Sequence, residues 1–339
     1  MSTPTTGSHA HGNPDQVWTT RKLLEWISTR LEDAGVDAPR VCSELLVSSA
    51  LGCDRLRLYM EPERVASDSE RDRLRDWVRR ASNHEPVQYL VGETTFNGRA
   101  FEVDRSTLIP RPSTETLVEH ASHALEGVNG ARILEIGTGT GCIIASLLDA
   151  LDRPSRAESR RLEALKADQL PFQSQDDAVQ PSDPMPEVMV EATAVATDVV
   201  PEAVDLAGRN LRRHGYQQRV DLRIGALFEP LQDHEFGGFD LLVSNPPYVS
   251  DVEWAKCAAN VREYEPERAL RGGEDGLDII KPLFANASRV LKPGGYVAVE
   301  IQYDQAGEVT ALLPDAALDF VAVHQDHEGH DRVLIARSR

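Results

Sequence analysis

Lysine is scarce in this 339-residue chain. It occurs at Lys22, Lys166, Lys256, Lys281 and Lys292, and arginine carries most of the positive charge. Against 55 acidic residues there are 36 basic ones, a net charge of −19. A surface this acidic works against a broad phosphate-tracking footprint, which needs a basic face. It also fits a protein kept solvated in a salty cytoplasm. Long apolar runs are missing too, and none approaches the ~20 residues of a membrane-spanning helix. Residues 1–16 have neither the basic region nor the apolar core of a signal peptide, so they read as a disordered tail on a cytoplasmic protein. Cysteine is limited to Cys42, Cys53, Cys142 and Cys257. Their spacings match no metal or redox motif, which leaves reduced cytosolic thiols as the expectation.

What is present is ample for folding: 41% of residues are hydrophobic, and the length suggests two domains. From 17 to 84 the apolar residues recur at helical spacing. Thr20 is placed to cap a helix carrying Leu23, Leu24, Ile27 and Leu31. Pro39 suits the first turn of a second helix, and Ser67 to Glu70 matches a capping box before Leu74, Trp77 and Val78. This helical domain carries no catalytic constellation and reads as a recognition or packing module. Residues 85–112 read as a linker. Within it Asn97-Gly98 between alternating apolar residues predicts a β-hairpin, because both turn positions need positive φ. Ser113 is then placed to cap a helix reaching about Leu125.

The remainder, 113–339, alternates strand and helix. Strands are expected at Arg132–Ile136, Glu191–Thr197, Val220–Ile224, Phe239–Val243 and Tyr296–Ile301, with a terminal pair at Leu318–His324 and Arg332–Ala336. Helices are expected at Gly141–Leu151, Pro201–His214, about Gly276–Leu291 and near Gln305–Leu313. This pattern predicts an α/β domain with a mainly parallel sheet, helices on both faces and an antiparallel hairpin at one edge. Residues 153–186 break the alternation and read as a surface insertion, with a short helix at about 159–167.

Three stretches can carry chemistry. Glu135-Ile136-Gly137-Thr138-Gly139-Thr140-Gly141 follows a strand and opens a helix, so its glycines let backbone N–H groups approach a ligand closely. A dinucleotide fingerprint needs Gly or Ala where Cys142 stands, which weakens a nicotinamide reading. An acidic strand end followed by Gly-x-Gly-x-Gly is instead the pattern of S-adenosylmethionine-dependent methyltransferases. Asp198 ends the next strand, where a carboxylate can accept two ribose hydroxyls; its competing role is to cap the helix at Pro201. Asn245-Pro246-Pro247-Tyr248 stops a strand abruptly, since two prolines hold the chain extended and donate nothing. That leaves an Asn amide, backbone carbonyls and a Tyr ring at the strand edge where α/β sheets bind ligands. The histidines His324, His327 and His330 fit no common zinc spacing and read as a solvated hairpin loop; His9 and His11 fall in the tail.

Together these stretches resemble one family, the methyltransferases that modify the glutamine amide of class I peptide chain release factors. The resemblance rests on Glu85-Pro86-Val87-Gln88-Tyr89-Leu90 with Gly92, on Leu108-Ile109-Pro110-Arg111-Pro112-Ser113-Thr114-Glu115, on the glycine loop and on the Asn-Pro-Pro-Tyr loop. It extends through Tyr264-Glu265-Pro266, Ala269-Leu270, Gly272 to Asp278 and Gly329 to Arg332. It implies a Rossmann-like seven-stranded methyltransferase sheet, with the N-terminal helical domain serving substrate recognition. It further implies S-adenosylmethionine as cofactor, held by Glu135, Gly137, Thr138, Gly139, Thr140, Gly141, Asp198, Leu227 and Asn245. The implied substrate is the glutamine of the release-factor Gly-Gly-Gln motif, bound by Asn245, Pro246, Pro247 and Tyr248, with Asn245, Pro246 and Tyr248 catalytic. No metal, stable nucleic acid or membrane partner is implied.

The sequence departs from that family pattern in the insertion, at Ala226 and at Gln302. Ala226 stands where the family tends to carry an acidic residue able to read the adenine amine, and Gln302 where it usually has Gly. Four other readings stay open: a ribosomal-protein glutamine methyltransferase, a DNA adenine methyltransferase using the same loop, a nicotinamide-dependent oxidoreductase, and a non-catalytic binding protein on the same fold.

Overall fold

The computed structural model describes residues 17–152 and 190–339. The expected tail at 1–16 and the expected insertion with its helix at 159–167 lie outside the described residues. The chain divides into two compact units, Met1–Gly92 and Glu93–Arg339. Among the described residues no helix is long and apolar enough to cross a membrane.

The first unit is helical: α1 Thr20–Asp33, α2 Pro39–Leu51, α3 Arg55–Met60, α4 Asp68–Ala81 and α5 Val87–Val91. Ile27 and Leu31 of α1, Leu46 and Val47 of α2, and Leu74 and Val78 of α4 pack into one apolar core. The capping box closes as expected, with the Ser67 hydroxyl accepting from Glu70 N–H and the Glu70 carboxylate accepting from Ser67 N–H. The first helix is capped one residue earlier than the sequence indicates. Thr19 accepts from Lys22 N–H, while Thr20 is buried and donates its hydroxyl to the Arg64 carbonyl.

The second unit begins with the hairpin β1 Glu93–Phe96 and β2 Arg99–Glu102, paired across Asn97 and Gly98, both at positive φ. This hairpin falls within the linker expected at 85–112, and its Phe96 and Phe101 belong to a core of the second unit. A 3₁₀ turn, Pro112–Thr114, leads into α6 Glu115–Ala124. Ser113 lies inside that turn, and no side chain caps α6. The elements then follow as β3 Arg132–Ile136, α7 Cys142–Asp152, β4 Thr193–Asp198, α8 Pro201–His214, β5 Val220–Ile224 and β6 Phe239–Ser244. Two short helices, α9 Asp251–Trp254 and α10 Ala259–Tyr264, precede α11 Ile280–Val290, β7 Leu291–Glu300, α12 Ala306–Ala311, β8 Leu318–Gln325 and β9 Asp331–Ser338. The helix expected from Gly276 thus starts only at Ile280.

The large sheet has seven strands in the order β5-β4-β3-β6-β7-β9-β8. The first five run parallel, while β9 is antiparallel to both β7 and β8. Successive strand residues alternate between two cores: Ile133, Leu241 and Val243 face one, Leu134 and Leu242 the other. Burial on both faces explains why these strands read as nearly continuous apolar runs. From β3 the chain winds through β4 to β5 on one side, then returns to lay β6 against β3 and build toward β7. The order therefore reverses between β3 and β6, and the crevice beyond their C-terminal ends is where such sheets take ligands.

Candidate active site

The loops after β3 and β6 open onto a cavity of about 280 Å³. Gly137, Thr138, Gly139, Thr140, Asp198, Leu227, Asn245 and Pro247 line it, joined by Leu108, Pro110, Arg111 and Thr114 and by Pro266, Arg268 and Ala269. The distant Ile-Pro-Arg-Pro and Tyr-Glu-Pro runs thus form walls of one site. Glu265 knits them together: its buried carboxylate accepts from Ile109 N–H at 3.3 Å and pairs with the Arg111 guanidinium.

The glycine loop is held by backbone geometry. Gly137 and Gly139 have φ of 77° and 52°, a region that only glycine enters without strain. The Thr197 carbonyl accepts from both Gly137 and Thr138 N–H at 2.9 Å. Asp198 braces the next step, with Oδ2 accepting from Gly139 N–H at 2.9 Å and Oδ1 from Val200 N–H at 3.0 Å. Asp198 does not cap α8, whose N-cap is Val200 without a side-chain bond. Asn210, fully buried on α8, was not visible as a site residue in sequence. Its Nδ2 donates to the carbonyls of Thr140 and Glu102, and its Oδ1 accepts from Glu102 N–H, so one side chain ties the glycine loop to the hairpin.

On the β6 side Asn245 Nδ2 donates to the Thr114 hydroxyl at 3.2 Å. That bond orients the amide. The Gly272 to Asp278 run packs directly behind the loop, and a Cβ on Gly276 would come within 2.3 Å of the Tyr248 carbonyl oxygen.

Four residues read from sequence as site residues do not line the cavity. Glu135 lies beneath the loop, fully buried; its Oε2 accepts from the Thr138 hydroxyl at 2.5 Å, and its Oε1 has no partner. Burial pushes its carboxyl up to about 8, the Thr138 hydrogen bond opposing and the Asp198 charge adding to the rise. Gly141 faces the helix behind it, where its Cβ position is 3.3 Å from Ala207 Cβ, so it serves close helix packing. Pro246 is buried between two cavity-lining neighbours. Tyr248 turns its hydroxyl inward, donating to Glu300 Oε1 at 3.0 Å. Burial, then the Glu300 charge, pushes that phenol up, which keeps it neutral.

Comparison with known proteins bears on what this site belongs to. Residues 22–92 match the family described as the PrmC N-terminal domain. The release factor glutamine methyltransferase of Geobacter sulfurreducens is 36% identical over 95% of this chain and 98% of its own length. The protein of that name from Chlorobaculum tepidum is 34% identical over 94% and 97%, and that from Nitratidesulfovibrio vulgaris 34% over 98% and 97%. The chain belongs to the release factor glutamine methyltransferase family.

As a member of that family the chain carries two departures whose setting is now defined. Ala226 and Leu227 line the cavity, so the wall where an acidic residue was expected is apolar here. Leu227 holds φ at 47°, a costly conformation for a non-glycine residue, of order 1–3 kcal/mol. Gln302 has no positive φ, so the backbone does not require glycine there. Its side chain is buried and donates to Glu253 Oε2 at 2.6 Å and Asp304 Oδ1 at 3.0 Å. Neighbouring Gln305 donates to the Tyr248 carbonyl at 3.1 Å, bracing the Asn-Pro-Pro-Tyr loop from behind. The hairpin loop with the histidines is organised by Asp326, which accepts from Glu328 and His330 N–H and pairs with Arg332. His324 stacks on His120, ring centroids 3.6 Å apart.

Proposed function

We propose that this protein transfers the methyl group of S-adenosylmethionine to the side-chain amide nitrogen of a glutamine in class I release factors, in the cytoplasm. The observation that carries this reading is a single cavity walled by the glycine loop, Asp198 and Asn245. Cofactor side and acceptor side share one space.

The cofactor fits the residues present. A Cβ on Gly137 or Gly139 would meet nothing nearer than 4.0 Å, so the loop backbone faces open room. The loop opens into the N-terminus of α7, whose partial positive charge favours a carboxylate. Asp198 keeps lone pairs for ribose hydroxyls, and the apolar wall at Ala226, Leu227 and Ile279 suits a flat base. When bound, the cofactor supplies an electrophilic methyl on a sulfonium.

The acceptor is the harder partner. An amide nitrogen has its lone pair delocalised and no removable proton near neutral pH, so it must be turned toward the methyl group. With Asn245 Nδ2 committed to Thr114, its Oδ1 is left to accept an N–H of the substrate amide. Orientation of this kind supplies a large part of a barrier. Tyr248, held neutral, serves as packing rather than as a base. Among the described residues lining the cavity the charged ones are Arg111, Asp198 and Arg268. Once methylated, the nitrogen is acidic enough to lose its proton to water, so no dedicated base is needed. The N-terminal helical unit, with α1 to α5, serves recognition of the release factor.

Glu135 gives a pH signature. Its carboxyl titrates near 8 in the folded protein against an ordinary value of 4.5, so the folded state holds a proton that the unfolded state has lost. Its contribution to stability is complete below 4.5 and is lost as the pH rises toward 8. A cofactor that brings positive charge to this loop would favour the ionised form, so its binding at pH 7 would release a proton. Affinity should rise by up to about tenfold per pH unit below 8. Calorimetry in buffers of different ionisation enthalpy measures that release; Glu135→Gln abolishes it and flattens the pH dependence.

The test of the reading is tritiated methyl transfer from S-adenosylmethionine to release factor, to ribosomal protein and to DNA, run side by side. Label on the release-factor glutamine alone is the expected result. Label on DNA or on ribosomal protein instead reassigns the acceptor, and label on none makes this a binding protein.

A further inference from the structure

Gln305 is the N-cap of α12, a position that favours Ser, Thr, Asn or Asp, yet its side chain makes no capping bond. That side chain is spent elsewhere. Gln305 is buried, so its amide needs partners inside the protein. Oε1 accepts from Gln302 N–H at 3.1 Å, and Nε2 donates to the carbonyls of Tyr248 at 3.1 Å and Asp275 at 3.3 Å. One N–H and two carbonyls around the amide allow a single orientation. A flipped group would set its oxygen against two carbonyls and its N–H₂ against an N–H. The backbone of Gln305 is fixed as well, its N–H donating to the Gln302 carbonyl at 3.0 Å and its carbonyl accepting from Val309 N–H at 2.9 Å. Gly276 leaves room for the contact, since a Cβ there would clash with both the Tyr248 carbonyl and the Gln305 amide.

The Tyr248 carbonyl closes a stiff segment, because Pro246 and Pro247 hold the chain between Asn245 and Tyr248 extended. At the near end Ser244 is paired in β6, and its hydroxyl donates to the Ile136 carbonyl at 2.7 Å. At the far end Val249 N–H donates to the Leu270 carbonyl at 2.9 Å, and Gln305 holds the carbonyl just before it. A stiff segment pinned at both ends keeps one tilt. We infer that Gln305 is a positioning residue for methyl transfer, fixing the Asn-Pro-Pro-Tyr loop through the Tyr248 carbonyl so that Asn245 meets the acceptor amide at one angle. This rests on the function proposed above. Gln305 does not line the cavity, so its effect falls on the chemical step rather than on binding.

Gln305→Met fills a similar volume without a donor. Its kcat should fall about tenfold or more at every pH, since a displacement of about 1 Å near a reacting centre can cost about 10²-fold. KM for release factor and Kd for S-adenosylmethionine should stay within about threefold of wild type, because the glycine loop and Asp198 are held separately. Gln305→Glu keeps an acceptor for Gln302 N–H, but when ionised it sets a carboxylate against two carbonyls. Burial and those carbonyls favour the protonated form, whose O–H can donate to Tyr248 as the amide does. Its kcat relative to wild type should be down about tenfold or more at pH 8.5 and recover to within about threefold at pH 6. Taking the ratio at each pH cancels the titration of other groups, and cofactor Kd by calorimetry reports that each variant is folded. A merely structural role would not tie turnover to one proton on this side chain. Wild-type kcat in Gln305→Met, a loss confined to KM, or a Gln305→Glu ratio that ignores pH would each overturn the inference. Failure of the functional reading looks different, because wild type would then not label the release-factor glutamine at all.

Discussion

Replacing Asn245 with Ala should lower kcat for release-factor methylation by about 10²–10³-fold, comparable to removing one preorganised polar contact at a reacting centre. Affinity for S-adenosylmethionine should stay within about threefold, because the glycine loop and Asp198 are held independently through Thr197 and backbone N–H groups. The effect belongs to kcat because the ground-state amide can still enter the cavity; what is lost is the direction of its lone pair. Asn245→Gln tests the same point without deleting the amide. The extra methylene moves the oxygen by more than 1 Å, a displacement able to cost about 10²-fold on its own. Asn245→Asp keeps the shape but gives up the donor that Thr114 accepts. Single-turnover rates separate chemistry from product release in all three. A wild-type rate in Asn245→Ala would sink the orientation mechanism.

Much of this architecture was legible because it is local or periodic. The strands buried on both faces are written as apolar runs, and the Asn-Gly turn and the Ser67 capping box each depend on residues within four positions. The glycine loop and the Pro-Pro stop mark the ends of β3 and β6, which the sheet order then brings side by side. What was missed is of two kinds. The short helices α3, α5, α9 and α10 span four to six residues, too few to complete two turns of an apolar stripe. The supports of the site are long-range: Thr114 meets Asn245 across 131 positions, and Asn210 meets Glu102 across 108. No window reports such partners. One signal was available, since Glu135 and Glu300 each sit at the end of an apolar strand where an unpaired carboxylate has no structural use. Glu135 stands out because the glycine loop follows it; Glu300 has no such marker beside it.

Asp198 should prove as important to the cofactor as Asn245 is to the acceptor. Its two oxygens each accept a backbone N–H, from Gly139 and from Val200, and the residue lines the cavity. A carboxylate can do this because it is an acceptor on both oxygens; an amide accepts on only one. Asp198→Asn therefore sets an N–H₂ against one of two backbone donors and also loses the negative charge that two ribose hydroxyls would share. Hydrogen bonds to charged groups are worth about 1.5–3 kcal/mol each. The expected loss of S-adenosylmethionine affinity is thus about 10²-fold or more, with kcat at saturating cofactor much less affected. A ribose-deoxy analogue of the cofactor distinguishes direct contact from loop support. Wild type should bind it far more weakly than the parent compound, whereas Asp198→Asn should hardly discriminate. If the variant still discriminates as wild type does, Asp198 is only a brace for the glycine loop, and the hydroxyls are read by another group.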